Sequence, residues 1–270
     1  MFTNNPFAEL SASIPPAVMQ TYIIIMILFV VGGTLFDIMH KKSAEFFFKN
    51  WRKSSDNATR PIGVGELASL AIQTAVVDGL TSGEFCSMKR RIAHLLTMYG
   101  FLIYVVTTVI MVFSYPTTSI PAPAILVQLW YFGAGLILVG GYWFWFFIRV
   151  DVVAEGKSPF RLVQADLFVV SLLVSVTLGL VWAYMQATGN AWTNVFLALY
   201  LLATTVFYGS VPWSKFSHMF FKPAAALQNR VLKANGSSTL PDPADSPEIY
   251  GSVRRDRKST RLNSSHTSIS

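Results

Sequence analysis

Charged side chains are scarce in this sequence. Only 13% of its 270 residues are Asp, Glu, Lys or Arg, whereas soluble domains usually carry about 25%. Because 53% of the residues are also hydrophobic, an ordinary water-soluble domain is excluded. The sequence contains no phosphate-binding loop, no HExxH pattern and no serine–histidine–acid set, so it lacks the common signatures of nucleotide-binding enzymes and hydrolases.

Cysteine is almost absent as well. Cys86 is the single cysteine, so the sequence offers no CxxC pairs for a zinc ribbon or an iron–sulfur cluster. A CxxCH motif is also missing, and any haem would therefore be held without covalent attachment. We interpret Cys86 as incidental, with a redox role or palmitoylation as the alternative.

Long apolar stretches dominate what the sequence does contain. A helix needs about 20 apolar residues to cross a bilayer core, and five stretches approach or exceed that length. They are Val18–Met39, Ile92–Phe113, Ile125–Ile148, Leu167–Met185 and Thr193–Val211. The predicted fold is all-α, a polytopic bundle of five transmembrane helices over residues 18–223 that follows a periplasmic segment at residues 1–17. Because no basic residue precedes the first stretch, we expect a retained span and not a cleaved signal.

The distribution of basic residues predicts the orientation of the bundle. The loop at residues 41–91 is rich in Lys and Arg, whereas Ser114–Ala124 and the turn at Gly189-Asn190 carry no charge. The loops after the third and fifth stretches are basic again, with Arg149, Lys157, Arg161, Lys215, Lys222, Arg230 and Lys233. Basic loops favour the cytoplasmic side, so we expect the N-terminus outside and the C-terminus inside, in the cell inner membrane. The net charge of +7 follows from this topology and does not indicate nucleic-acid binding.

Two regions outside the apolar stretches have a character of their own. In the cytoplasmic loop, Phe46–Lys53 mixes aromatic and basic residues as an interfacial helix does, and Gly65–Leu80 has apolar residues at helical spacing. These segments could cover the mouth of the bundle or form a platform for a soluble partner. Residues 224–255 are predicted to form a disordered cytoplasmic tail. Residues 256–270 resemble translated sequencing-adapter read-through, which removes His266 from functional arguments.

Two histidines stand out because ionisable side chains at membrane depth are costly. His94 lies about one turn inside the second stretch, and His218 lies at the inner end of the fifth. With odd stretches running inward and even ones outward, both imidazoles are expected near the cytoplasmic face, where they could take both axial positions of a haem iron. The basic residues one turn before them would face the haem propionates: Arg90, Arg91 and Lys215. The alternative is a pair of ordinary interfacial histidines beside topology-determining cations.

A second candidate site lies at the inner end of the first stretch. Asp37 and His40 are three residues apart, so they share a helix face, and a carboxylate beside an imidazole could relay protons to a quinone. A solvated ion pair at a helix end is the alternative. The aromatic run Tyr142–Phe147 is interpreted as an interfacial belt, with part of a quinone-ring pocket as the alternative.

Two motifs resemble a known family. The strings Arg90–Phe101 (RRIAHLLTMYGF) and Pro212–Phe220 (PWSKFSHMF) are similar to those of five-span cytochrome b subunits of the respiratory nitrate reductase gamma and heterodisulfide reductase membrane-subunit type. The segment Leu80–Cys86 is most similar to the sulfur-metabolism branch, in particular to membrane anchors associated with dissimilatory adenylylsulfate reductase. The resemblance covers about residues 18–223.

The resemblance implies one haem b, a quinone site and a cytoplasmic iron–sulfur or flavin reductase as partner. It also implies that His94 and His218 are the ligands of that haem. Relatives with two haems have a second pair of histidines, where this chain has Tyr104 and Tyr200. We therefore expect no second haem, with the two tyrosines packing or hydrogen bonding instead.

The predicted function is a membrane anchor that carries electrons between a cytoplasmic sulfur-metabolism oxidoreductase, adenylylsulfate reductase in the closest case, and the quinone pool. The chain itself would perform no substrate chemistry, apart from a role in quinone reduction. One alternative is a haem-free anchor that only recruits the reductase to the membrane. The other is a small transporter, against which stand the few polar residues in the centres of the spans and the lack of internal repeats.

Overall fold

Helices are the regular secondary structure of the part of the chain that the structure describes. The computed structural model describes residues 2–40, 43–83, 85, 87–149, 162, 166–213 and 218–238, and no strand occurs in these ranges. Their α-helices are α1 Pro6–Glu9, α2 Pro16–His40, α3 Ser43–Asp56, α4 Val64–Gln73, α5 Met88–Ser114, α6 Ala124–Trp143, α7 Leu167–Ala187, α8 Thr193–Gly209 and α9 His218–Ala234. A 3₁₀ helix at Leu10–Ala12 follows α1, and π-helical turns continue α4 to Leu80 and α6 to Ile148. The all-α class is confirmed.

Four helices are long and apolar enough to cross a membrane, and they coincide with the first four predicted stretches. They are Pro16–His40, Met88–Ser114, Ala124–Ile148 and Leu167–Ala187, and they make the chain a membrane protein. The fifth stretch is also helical, but α8 has 17 residues and ends at Gly209. At 1.5 Å per residue α8 is about 25 Å long, somewhat less than a bilayer core of about 30 Å. Pro212 follows closely and disfavours helical backbone in the residue before it.

Glycines bring α5 and α6 into close contact. A Cβ atom on Gly100 would lie 2.8 Å from the carbonyl oxygen of Gly133, and one on Gly140 would lie 2.7 Å from the carbonyl oxygen of Ala93. Membrane helices commonly pack through small residues in this way, because the backbones can then approach each other. Since Ala93 precedes His94, this contact holds the beginning of α5 firmly against α6.

The first residues of the chain close one end of the bundle. Phe7 of α1 is buried between Trp130 and Trp182, with ring centroids 5.8 and 5.3 Å apart respectively. The Asn5 side chain donates to the carbonyl oxygen of Tyr115 at 2.9 Å, and the Gln186 amide donates to the carbonyl oxygen of Pro6 at 2.6 Å. The segment predicted as residues 1–17 is therefore packed onto the helices and not merely attached to them.

The opposite end, where α2 ends and α5 and α9 begin, is covered by α3, α4 and α9. We call it the basic end, because it includes Lys89, Arg90 and Arg91. The predicted disordered tail at residues 224–255 begins too early, because α9 continues to Ala234 and Val231 in it is buried. The Asn235 side chain donates to the Ser54 hydroxyl at 2.9 Å, which ties the end of α9 to α3. Residues 239–255 of that tail, and residues 256–270, lie outside the described residues.

Candidate functional site

His94 lies at the basic end, six residues after the beginning of α5. Its imidazole is half-buried, and its ring centroid lies 5.0 Å from that of Phe85, which belongs to the loop before α5. Arg91 Nε donates to the carbonyl oxygen of Thr81 at 2.8 Å. This hydrogen bond holds the loop against α5, so that Phe85 covers one side of the imidazole.

The beginning of α9 meets the same phenylalanine. Lys222 Nζ lies 5.4 Å from the centroid of the Phe85 ring, a distance at which a cation is attracted by an aromatic face. His218 is the first residue of α9 and precedes Lys222 by four residues, which is about one helical turn. The side chain of His218 and all of Lys215 lie outside the described residues, so the predicted pairing of His94 with His218 stays a prediction.

The cations predicted to face the propionates differ in their surroundings. Arg90 is exposed, whereas Arg91 is half-buried and already donates to Thr81. Lys222 adds a positive charge that the site prediction did not include. The described side chains do not form any group of three or more His, Cys, Asp or Glu suited to a metal ion. Two imidazoles are predicted as axial ligands of the haem iron, and the described side chains include one of them, that of His94.

Asp37 and His40 occupy different environments. The Asp37 side chain is 2% exposed, whereas His40 is exposed and its ring stacks on Phe36 with centroids 5.4 Å apart. The carboxylate therefore points into the protein, and the imidazole lies at the surface of the basic end. Their use as a proton relay stays a prediction.

The structure contains a cavity that the sequence analysis did not anticipate. It has a volume of about 310 Å³ and lies between α2, α5, α7 and α8, within the range of about 300–1,000 Å³ that is common for small-molecule sites. Most of its walls are apolar, from residues such as Ile23, Ile27 and Val105. The residues with hydroxyl groups among those that line it are Tyr22, Tyr104, Thr108, Ser175, Tyr200, Thr204 and Tyr208.

Tyr104 and Tyr200 meet at this cavity. Their hydroxyl oxygens are 3.1 Å apart, and both side chains are buried. Gly179 makes room for the pair, because a Cβ atom there would lie 3.0 Å from Tyr104 Oη and from the Tyr200 ring. The two tyrosines predicted to pack or hydrogen bond in place of a second haem thus lie side by side, linked by a hydrogen bond.

A second polar contact lines the same cavity. The hydroxyl groups of Ser175 and Thr204 are 2.7 Å apart, and Tyr22 donates to the carbonyl oxygen of Leu201 at 2.9 Å.

The sequence does contain a signal for this cavity, in polar residues that recur every four positions along α8. Tyr200, Thr204 and Tyr208 follow each other at this interval on α8, so they share a helix face. A polar stripe of this kind on an apolar helix points inward, toward other helices or a ligand.

Comparisons with known proteins give a distant similarity. No protein-family model matches the chain, and no solved structure matches it. The chain is 25% identical over 202 residues to a protein of Escherichia coli named citrate utilization protein B, covering 69% of this chain and 51% of that protein. The chain therefore spans about half the length of the curated relative that it matches.

Proposed function

We propose that this chain is the membrane subunit of an oxidoreductase complex, holding one haem b at the basic end and passing electrons between a cytoplasmic reductase and quinone. In this proposal α8 is the fifth span, the N-terminus lies outside and the basic end faces the cytoplasm. The positions of Arg90, Arg91 and Lys222 support the orientation, because basic residues concentrate on the cytoplasmic side.

The convergence of α5 and of Lys222, near the beginning of α9, on Phe85 carries this proposal. Phe85 contacts His94 directly and lies under the ammonium group of Lys222, one turn from His218. His94 and His218 would supply the two imidazoles, while Arg90 and Lys222 would compensate the negative charge of the propionates. A bound haem supplies one-electron oxidation and reduction, and the surrounding residues hold it without a covalent bond.

The cavity between α2, α5, α7 and α8 is where we propose that quinone binds. Its apolar walls suit a ring with an isoprenoid tail, and its hydroxyl groups suit the ring carbonyls. The hydrogen bond between Tyr104 and Tyr200 uses one of their two hydroxyl hydrogens. The other hydrogen can be donated to a carbonyl group in the cavity. Tyr104 follows His94 by ten residues, or about 15 Å along α5. This distance separates the proposed haem site from the proposed quinone site.

Two candidates exist for the soluble partner. The motifs resemble membrane anchors of adenylylsulfate reductase, which favours an iron–sulfur and flavin enzyme of sulfur metabolism. The similarity to citrate utilization protein B favours a partner in citrate utilization. Purification of the tagged chain from its native membranes, followed by mass spectrometry of the proteins that accompany it, distinguishes the two.

A reduced-minus-oxidised absorption spectrum of the purified chain tests the haem directly. We expect a b-type band that disappears in His94→Ala and in His218→Ala, while both variants still insert into the membrane. His40→Ala is the matched control, because His40 is an exposed histidine at the same end, and this variant should keep the band. Absence of the band in the unaltered protein would favour the haem-free anchor, and solute uptake without a redox partner would favour the transporter.

A further inference from the structure

The helix formed by α4 and its π-helical continuation has a long apolar surface that the rest of the described protein leaves uncovered. It runs from Val64 to Leu80. Val64 is 87% exposed, Ile72 66% and Leu80 53%, and Val76 and Val77 are exposed between them. Single exposed apolar residues are ordinary, but a continuous apolar surface marks a contact with a membrane or another protein.

This surface carries no charged side chain. The segment has two charged residues, Glu66 and Asp78, and each pairs with an arginine from outside it. Arg60 donates to Glu66 at 3.1 Å, and Arg230 of α9 donates to Asp78 through Nε at 3.0 Å. Both carboxylates are thus neutralised by their partners, and the exposed residues of the segment are apolar or uncharged, Gln73 being the largest polar one.

Hydrogen bonds to α5 determine how deep the segment lies. Tyr99 Oη donates to the carbonyl oxygen of Leu80 at 2.6 Å, and Arg91 Nε donates to the carbonyl oxygen of Thr81. Tyr99 lies eleven residues inside the membrane-spanning helix α5, about 16 Å from its beginning. A tyrosine side chain is shorter than that distance, so Leu80 lies beside the apolar wall of α5 and not beyond its end.

The exposed side of α5 continues the same surface. Ile92 is 40% exposed and Leu102 is 46% exposed, and both belong to a helix long and apolar enough to cross a membrane. Exposed apolar residues of such a helix face lipid chains. Lys89 is exposed where α5 begins, as expected of a side chain that reaches toward lipid headgroups.

We propose that Val64–Leu80 is an in-plane membrane helix, with Ile72, Val76 and Leu80 among the acyl chains of the inner leaflet and Lys89 at the anionic headgroups. Its partner is lipid and not a soluble reductase. The depth of Leu80 favours lipid, because a protein that docks from the aqueous side cannot reach the wall of α5 without displacing the bilayer. The proposal does not depend on haem or quinone.

Spin labels on the full chain in liposomes of phosphatidylcholine and phosphatidylglycerol test the proposal. The label is attached to Ile72→Cys or Val76→Cys in a Cys86→Ser background, and its collisions with oxygen and with a water-soluble nickel complex are measured. Val106→Cys is the lipid control, because Val106 is 53% exposed on α5. Ser55→Cys, at an exposed position of α3, is the aqueous control.

We expect labels at residues 72 and 76 to collide with oxygen several times more often than with the nickel complex, as the label at residue 106 does. Nickel accessibility similar to that at residue 55 would overturn the proposal and indicate an aqueous docking surface. Low collision rates with both reagents would also overturn it, because they would place the segment in a protein–protein contact. A haem spectrum of each labelled protein shows separately whether the proposed function holds.

Discussion

The hydroxyl groups of Tyr104 and Tyr200 form a hydrogen bond of 3.1 Å between helices α5 and α8. The ring of Tyr104 stacks on Trp130 and that of Tyr200 on Trp182, with centroids 5.1 and 5.7 Å apart. The tyrosine pair therefore has aromatic support on both sides and cannot easily separate. It forms a fixed polar contact in a cavity whose walls are mostly apolar.

Removal of either hydroxyl group should weaken the binding of quinone and leave the binding of haem unchanged. Tyr104→Phe and Tyr200→Phe keep the stacked rings but lose the hydrogen bond, at a cost of about 1 kcal/mol in the free energy of unfolding. We expect the b-type band to be nearly unchanged and the KM for a soluble quinone to rise about tenfold. Tyr184→Phe is the control, since Tyr184 is 51% exposed. An unchanged KM in both variants would place the quinone elsewhere.

Filling the cavity should exclude its ligand. Val105 lines the cavity, whereas its neighbour Val106 is 53% exposed on the lipid side of the same helix. Val105→Phe is expected to abolish binding of a quinone analogue, while Val106→Phe leaves it unchanged, as measured by equilibrium binding to the purified protein. Equal binding by both variants would contradict the assignment of the cavity.

Gly179 should be intolerant of even a methyl group. In Gly179→Ala the new Cβ atom would contact Tyr104 Oη and the Tyr200 ring at 3.0 Å, and overpacking of this kind costs about 1–3 kcal/mol. Gly135→Ala is the matched control, because no atom lies within 4 Å of its Cβ position and alanine favours helix more than glycine does. Thermal unfolding in detergent should show a lower midpoint for Gly179→Ala only.

Arg90 should influence the redox potential of the proposed haem. A nearby positive charge stabilises the reduced, less positive form of the iron site. Arg90→Gln is therefore expected to lower the midpoint potential, measured by redox titration of the b-type band. Arg52→Gln, at an exposed position of α3, should have a smaller effect. A rise in the potential of Arg90→Gln would contradict a haem beside this residue.

Asn235 should hold α9 in place. Its buried side chain donates to Ser54 and accepts from the Ser237 backbone at 3.0 Å. Asn235→Ala leaves these groups without their partner, at a cost of about 1–3 kcal/mol, so we expect faster proteolysis within residues 224–238. Asn229→Ala changes an exposed asparagine of the same helix and should be cleaved at the original rate.

Parts of the site could be read from the sequence only in outline. The position of His94 near the beginning of a membrane helix followed from apolar length and basic flanks, and the structure has it there. Its contact with Phe85 did not follow, because loop geometry decides it. The cavity did not follow from the sequence for a related reason, since its walls come from four helices spread over residues 16–209.

The sequence by itself determined that the chain is helical and membrane-embedded. The length of each apolar stretch and its lack of charged residues are properties of a single segment, so they do not depend on contacts with the rest of the chain. Only the tertiary structure decided that Tyr104 meets Tyr200, 96 residues later, and that Asn235 reaches Ser54, 181 residues earlier. It also decided that α1 closes one end of the bundle and that α9 continues past residue 224. These features depend on which helix faces pack together, and packing depends on the shapes of all the neighbouring side chains at once.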